Sequence, residues 1–313
     1  MTMTVQTEKA VAVIGAGVIG LSWAALFAAK GHTVNVYDPR ADLAEQLAAK
    51  LPVFIPQVPG IAEDVAVIMA RVTPVAELAE AVKDALLVQE SGPEKVEFKQ
   101  NLWAEVEPLV AAETLLLSSS SGIIASEQGA RMKAPQRIII GHPFNPPHIL
   151  PLVEISADPA TPASLIALAM DFYRTLGKEP VQLHKQVPGF VANRLQMALV
   201  AEAIRLIDDG VVSIEELDKI VTASIGIRWA SIGPMKAFHL GGGDGGLEYL
   251  LSHIGVGLAT AIGQQDALTG ERIQRIGAEA ERAYPHAQFA HYQQARDRRQ
   301  ALIIADHQAH PDL

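Results

Sequence analysis

The chain has 313 residues, 49% hydrophobic and 19% charged, a size and balance that suit two packed domains and exclude a disordered chain. Its net charge of −10 repels phosphate backbones, so no nucleic-acid partner is expected. It contains no cysteine, which excludes disulfides, thiol nucleophiles and cysteine metal sites and fits a reducing, cytoplasmic setting; no metal site is expected.

Residues 10–14 (AVAVI) are a short apolar, β-branched run that reads as a buried parallel strand. A glycine turn follows, then a helix over 18–30 with Gly31 as its C-cap, then a second strand over 33–37 closed by Asp38-Pro39. The uncharged stretch 10–29 also has the hydropathy of a signal peptide or membrane helix. Its three spaced glycines are better explained by a strand, turn and helix, so no membrane partner is expected.

Residues 41–83 read as helices broken by Pro52, Pro56, Pro59-Gly60 and Pro74. Strands are predicted at 85–89, 115–117, 137–141, 152–155 and 180–183, with helices at 94–112, 123–132 and 162–176 between them. That alternation argues for an α/β fold, a Rossmann-type doubly wound sheet. After Val187-Pro188-Gly189 the pattern turns helical. Residues 190–224 carry Leu195, Leu199, Ala203 and Leu206 on one face, Gly241 to Gly246 read as a loop, and 295–309 as a polar helix. The predicted division is a nucleotide-binding domain, 1–187, and an all-helical C-terminal domain, 188–313, for substrate binding and dimerisation.

Gly15-Ala16-Gly17-Val18-Ile19-Gly20 matches G-x-G-x-x-G between a strand and a helix, with Asp38 at the end of the next strand. Gly15 permits the tight turn, Gly17 lets backbone approach a pyrophosphate, and Gly20 lets the helix pack on the sheet. The helix N-terminus offers free N–H groups to phosphates. Asp38 can accept from both adenosine ribose hydroxyls and would repel a 2′-phosphate, which favours NAD over NADP; Arg40 softens this. FAD uses the same fingerprint. A tight βα turn with Asp38 as a helix cap is the plainer account.

His142 follows the 137–141 strand at its carboxyl end, where ligands bind in open α/β sheets, and the stiff Pro143-Phe144-Asn145-Pro146-Pro147 turn comes next. Glu154 lies in the apolar run 152–155. It is either an edge-strand residue facing water or the group that holds the second ring nitrogen of His142. Ser118 to Gly122 is a polar βα loop, a helix cap or a substrate-hydroxyl site. Asn193 stands at the domain junction, as a helix-start residue or facing the cleft.

These residues carry a family resemblance. The chain resembles 3-hydroxyacyl-CoA dehydrogenases along nearly its whole length, through residues 11–20, QESGPEKVEFK at 89–99, 119–122, GHPFNPPHILPLVE at 141–154 and VPGFVANRL at 187–195. The resemblance implies an NAD-dependent dehydrogenase with His142 as base, Glu154 as its partner, and Ser121 and Asn193 touching substrate or transition state. It implies a cofactor set of Gly15, Gly17, Val18, Ile19, Gly20, Asp38 and Ser119. Glu90 and Lys95 or Lys99 match the nicotinamide-ribose stretch less closely. It also implies a homodimer.

In the second half, 226–234 and 238–240 resemble the λ-crystallin or L-gulonate 3-dehydrogenase branch, and 241–251 the L-carnitine 3-dehydrogenase branch. Both imply a small free 3-hydroxy acid as substrate rather than a CoA thioester. Arg228 is a candidate for the substrate carboxylate or for a subunit contact. Trp229, Phe238 and Tyr249 are either core or a cage for a quaternary ammonium. A non-catalytic NAD-binding structural protein is the alternative class, and the intact Ser121, His142, Glu154 and Asn193 set argues against it.

Overall fold

The structure, a computed structural model, describes residues 9–310. Eight strands form one sheet: β1 (Val11–Ile14), β2 (Val34–Tyr37), β3 (Val72–Val75), β4 (Leu87–Glu90), β5 (Leu115–Ser118), β6 (Ile138–Pro143), β7 (Leu152–Ala157) and β8 (Glu179–Gln182). Their order is β3-β2-β1-β4-β5-β6-β7-β8. All neighbours are parallel except β6 and β7, which run antiparallel. The order reverses between β1 and β4, which opens a ligand crevice at the carboxyl ends of those two strands.

Helices α1 (Val18–Ala29), α2 (Leu43–Phe54), α3 (Val65–Met69), α4 (Leu78–Val82), α5 (Val96–Val106), α6 (Ala125–Gln128) and α7 (Ala163–Thr175) surround the sheet. Alternate residues of each strand serve opposite faces. Val11, Val13, Leu117 and Ile139 pack with Trp23, Phe27, Leu51 and Tyr173. Ala12, Ile14, Leu116 and Ile140 pack with Leu102, Trp103 and Val106. Helix α1 is buried from Gly20 to Ala29, which accounts for the uncharged run. That run is a strand, a turn and a helix, not one span. Among the described residues no helix is long and apolar enough to cross a membrane.

Three readings of the sequence are corrected. The stretch 41–83 is not wholly helical. It contains β3, whose Pro74 is tolerated because the strand closes the sheet at its edge, while α2 runs through Pro52 without breaking there. The helical region 190–224 is two helices, α8 (Ala192–Asp208) and α9 (Ile214–Thr222). Gly210 sits between them at φ +70°, and Ser213 starts α9 with a reciprocal capping box to Glu216. The glycine run 241–246 is not a plain loop. It ends α11 (Pro234–Gly241), forms one 3-10 turn, and starts α12 (Gly246–Leu250). A Cβ on Gly242 would collide with the Gly246 carbonyl there.

The chain divides into two compact units, the first ending at Ala198 and the second beginning at Leu199. No strand occurs after β8 among the described residues. The second unit also contains α10 (Ile225–Ile232), α13 (Val256–Ala261), α14 (Gly270–Ala283) and α15 (Phe289–Ala309). His239 ties it together. Its Nδ1 accepts from the Leu247 amide at 2.9 Å, so Nε2 carries the proton and donates to the Tyr284 carbonyl at 3.0 Å.

Candidate active site

The glycine turn lies at the switch point. Gly15 has φ +92°, and a Cβ there would stand 2.7 Å from the Ser91 carbonyl oxygen. A Cβ on Gly20 would strike the Gly15 carbonyl, whereas the space around Gly17 is open. The chain therefore closes tightly on both sides and leaves room where a phosphate would approach the first turn of α1. A cavity of about 640 Å³ runs from Gly15 and Gly17 past Tyr37, Asp38 and Arg40 to Ser91 and Phe98. Ile19 lines a second cavity; Val18 is 59% exposed and lines neither.

Asp38 is already partly engaged. Its Oδ2 accepts from the Ala16 amide at 2.7 Å, and its Oδ1 accepts from the Arg40 amide at 3.1 Å and from Arg40 Nε at 3.0 Å. A carboxylate offers about four lone-pair positions, so one on Oδ2 is left for a ligand hydroxyl. Arg40 also donates to the Ala16 carbonyl, so its charge is tied into the turn.

The second cavity, about 460 Å³, is lined by His142, Phe144, Asn145, Ser121, Asn193 and Glu94, among others. His142 lies within β6, not beyond it, and its register partner on antiparallel β7 is Glu154. Paired residues project from the same face, so the fold brings the two side chains together. His142 Nδ1 and Glu154 Oε2 are 2.9 Å apart. Glu154 is 3% exposed and lies on an interior strand, so it is not the water-facing edge residue. Its Oε1 accepts from the Val191 and Ala192 amides, each at 3.0 Å.

Burial alone would raise the Glu154 carboxyl. The hydrogen bonds from His142, Ala192 and Val191 outweigh burial and hold it below its usual value. An ionised carboxylate only accepts, so Nδ1 of His142 carries a proton, and in the neutral ring Nε2 is the acceptor. Phe144 and Phe190 flank the ring at 5.1 and 5.3 Å between centroids. The arrangement can take a proton from a hydroxyl and share the resulting charge with a buried carboxylate.

Asn193 Nδ2 donates to the Ser121 carbonyl at 3.0 Å, so both expected residues share the cavity wall. Ser119 lines it too, but its hydroxyl is held by Trp23, Gln89 and Ser91. Glu90 and Lys95 line neither cavity. Glu90 is fully buried behind the wall, where Lys99 Nζ lies 2.8 Å from each carboxylate oxygen and Ser118 Oγ donates at 2.6 Å. Lys95 is exposed at the start of α5.

The residue the sequence reading missed is Glu94. One of its oxygens accepts from Ser120 Oγ at 2.5 Å and from the amides of Ser121, Gly122 and Ile123. It thereby shapes the serine loop that carries Ser121. Burial would raise this carboxyl, but the Ser120 hydroxyl, the Lys99 charge and the loop amides hold it low. Glu94 stands just ahead of a helix that returns Lys99 toward it, and that placement was the available sequence cue.

Arg228 belongs to the second unit. It is exposed and borders an apolar cavity of about 190 Å³ with Phe238, Leu250, Ile254 and Leu258. Trp229 and Tyr249 do not line that cavity, and Tyr249 stacks on His253 at 4.0 Å. The three aromatics form no single cage there.

Two family profiles match the chain in tandem. Residues 10–187 match the 3-hydroxyacyl-CoA dehydrogenase NAD binding domain and residues 189–272 the 3-hydroxyacyl-CoA dehydrogenase C-terminal domain. The chain belongs to the 3-hydroxyacyl-CoA dehydrogenase family. As a family member it is an NAD-dependent oxidoreductase, and the open Gly17 turn beside Asp38 fits that cofactor. It is 39% identical to an L-carnitine dehydrogenase of Streptomyces griseus over 254 residues, covering 80% of this chain and 75% of that one. It is 41% identical to a 3-hydroxyacyl-CoA dehydrogenase of Gibberella moniliformis over 241 residues, 77% of this chain and 74% of the relative. Among solved structures, it is similar to a 3-hydroxyacyl-CoA dehydrogenase from Archaeoglobus fulgidus, with TM-score 0.68, 28% identity and 86% of each chain covered. A 5-formyl-3-hydroxy-2-methylpyridine 4-carboxylic acid 5-dehydrogenase, described as an NAD+ dependent dismutase, has TM-score 0.71 and 29% identity, with 87% of this chain and 97% of that one covered.

Proposed function

We propose that this dehydrogenase oxidises the secondary alcohol of a small free 3-hydroxy acid to the 3-keto acid, with an L-carnitine-like substrate ranked first. One observation carries the chemistry: the buried His142–Glu154 pair at 2.9 Å, on the wall of a cavity that also presents Ser121 and Asn193. His142 Nε2 takes the hydroxyl proton, and Glu154 stabilises the imidazolium and keeps the ring in its working tautomer. Bound NAD supplies the hydride acceptor. Ser121 and Asn193 place donors at the developing alkoxide, and Glu94 positions their loop. Asp38 holds the adenosine ribose through its free Oδ2 position.

Several L-carnitine dehydrogenases among the relatives support the free-acid reading. The 41% identical acyl-CoA enzyme keeps a short-chain thioester as the second reading. In this account the region 1–187 binds NAD and 188–313 serves substrate and subunit contacts. Arg228 and Trp229 are its proposed substrate-side residues. A cytoplasmic homodimer fits the exposed apolar side chains Ile204, Val211 and Ile214 at 61–64%, and light scattering checks its mass.

The deciding experiment is NADH formation with L-carnitine, L-gulonate, 3-hydroxybutyrate and 3-hydroxybutyryl-CoA under one set of conditions. The reading predicts a kcat/KM for a free acid at least about tenfold above the thioester, about 1.4 kcal/mol. Preference for the thioester contradicts it.

A further inference from the structure

A directional chain of hydrogen bonds ends at the switch point. Tyr173 is fully buried, and its hydroxyl lies 2.8 Å from Gln89 Oε1, its one hydrogen-bond partner among the described residues. Gln89 Nε2 lies 2.8 Å from Ser119 Oγ, Trp23 Nε1 lies 3.1 Å from the same oxygen, and Ser91 Oγ lies 2.9 Å from it.

Donor capacity sets every direction. A buried phenol proton must find an acceptor, so Tyr173 donates to Gln89 Oε1. That contact orients the amide and turns its NH2 toward Ser119. The Trp23 indole can only donate. Both lone pairs of Ser119 are then taken, so its own proton goes to Ser91 Oγ. The Ser91 proton has no protein acceptor among the described residues.

Ser91 follows β4 directly and lines both cavities. Its carbonyl meets Gly15, and its Cβ faces Gly20 in the first turn of α1.

We propose that Ser91, rather than Ser119, presents the hydroxyl that grips the dinucleotide, as an obligate donor to an acceptor oxygen in the ligand's ribose–pyrophosphate span. Tyr173 acts as a positioning residue, because its proton forces the relay to point outward. Without that proton, Gln89 can turn over, Ser119 can donate to Gln89 Oε1, and Ser91 can spend its proton on Ser119.

The test is the dissociation constant for NAD+ by calorimetry in Ser91→Ala, Tyr173→Phe and the double variant, each checked for a folded melting transition. Ser91→Ala is expected to weaken binding about three- to tenfold, the loss of one hydrogen bond. Tyr173→Phe is expected to weaken it about twofold in the parent and not at all when Ser91 is already alanine. Unchanged affinity in Ser91→Ala overturns the assignment. An equal Tyr173→Phe effect in both backgrounds overturns the relay, since packing alone would act in each.

Discussion

Two buried carboxylates near the serine loop each hold a basic partner, and one pair is closed while the other borders a cavity. Glu90 and Lys99 are 0% and 1% exposed, and Glu90 also accepts from Ser118 and Gly92. That pair is closed: among the described residues Lys99 reaches carboxylates alone, with Glu94 Oε2 at 3.5 Å. His142 and Glu154 are nearly as buried, at 5% and 3%, but His142 lines a cavity. A closed pair holds β4 to α5. An open pair can exchange a proton with a ligand. Burial and a short contact to a carboxylate are shared; the difference is that the imidazole keeps one nitrogen with no hydrogen-bond partner among the described residues.

Breaking the closed pair is the largest expected effect. Lys99→Met leaves a buried carboxylate uncompensated and should cost about 3–5 kcal/mol in denaturant unfolding. A loss under about 1 kcal/mol would mean the pair is not structural. Glu154→Gln should lower turnover about tenfold or more, about 1.4 kcal/mol, with NAD affinity kept; unchanged turnover would make Glu154 a mere strand partner.

The same variant sharpens the comparison through pH. The Glu154 carboxyl is held below its usual 4.5. Its stabilising contribution is therefore complete above 4.5 and lost as pH falls through the lower folded value. Glu154→Gln should flatten that acid limb of stability, and an unaltered limb would count against the assignment.

Lys178 tests the loop between the two strands of the open pair. It donates to the carbonyls of Pro147 and Leu150, and burial pushes its ammonium down from 10.5 to about 8. Between those values the unfolded chain holds more protons, so this group adds stability as pH rises from about 8 to 10.5. Lys178→Met should remove that rise in Tm. Asp38→Ala should give the smallest change, about a severalfold drop in preference for NAD over NADP, because only one acceptor position on Asp38 is left open; an unaltered ratio of the two affinities would exclude the ribose role.

Much of this was legible in sequence where local pattern and tertiary context agree. The Gly15–Gly20 turn, its flanking strand and helix, and the His142–Glu154 pair all follow from apolar runs and a shared family pattern. Strand β3 was hidden because Val72-Thr73-Pro74-Val75 is an edge, half exposed and interrupted by proline. Glu94 was hidden because its role depends on the serine loop folding over it from 26 residues away. Glu90 drew attention as an acid in the matched stretch, but only burial reveals that Lys99 closes it. The glycine run 241–246 was misread because glycine is the residue of both loops and helix ends.

The most direct measurement is single-turnover hydride transfer in His142→Gln at saturating NAD+ and the preferred 3-hydroxy acid, alongside NAD+ affinity. A general base contributes typically about 10²-fold or more, so the rate should fall by at least about that factor while affinity and melting temperature hold. A rate within about threefold of the parent, in a folded variant that binds NAD+ normally, would contradict the account, since proton transfer would then not pass through that nitrogen.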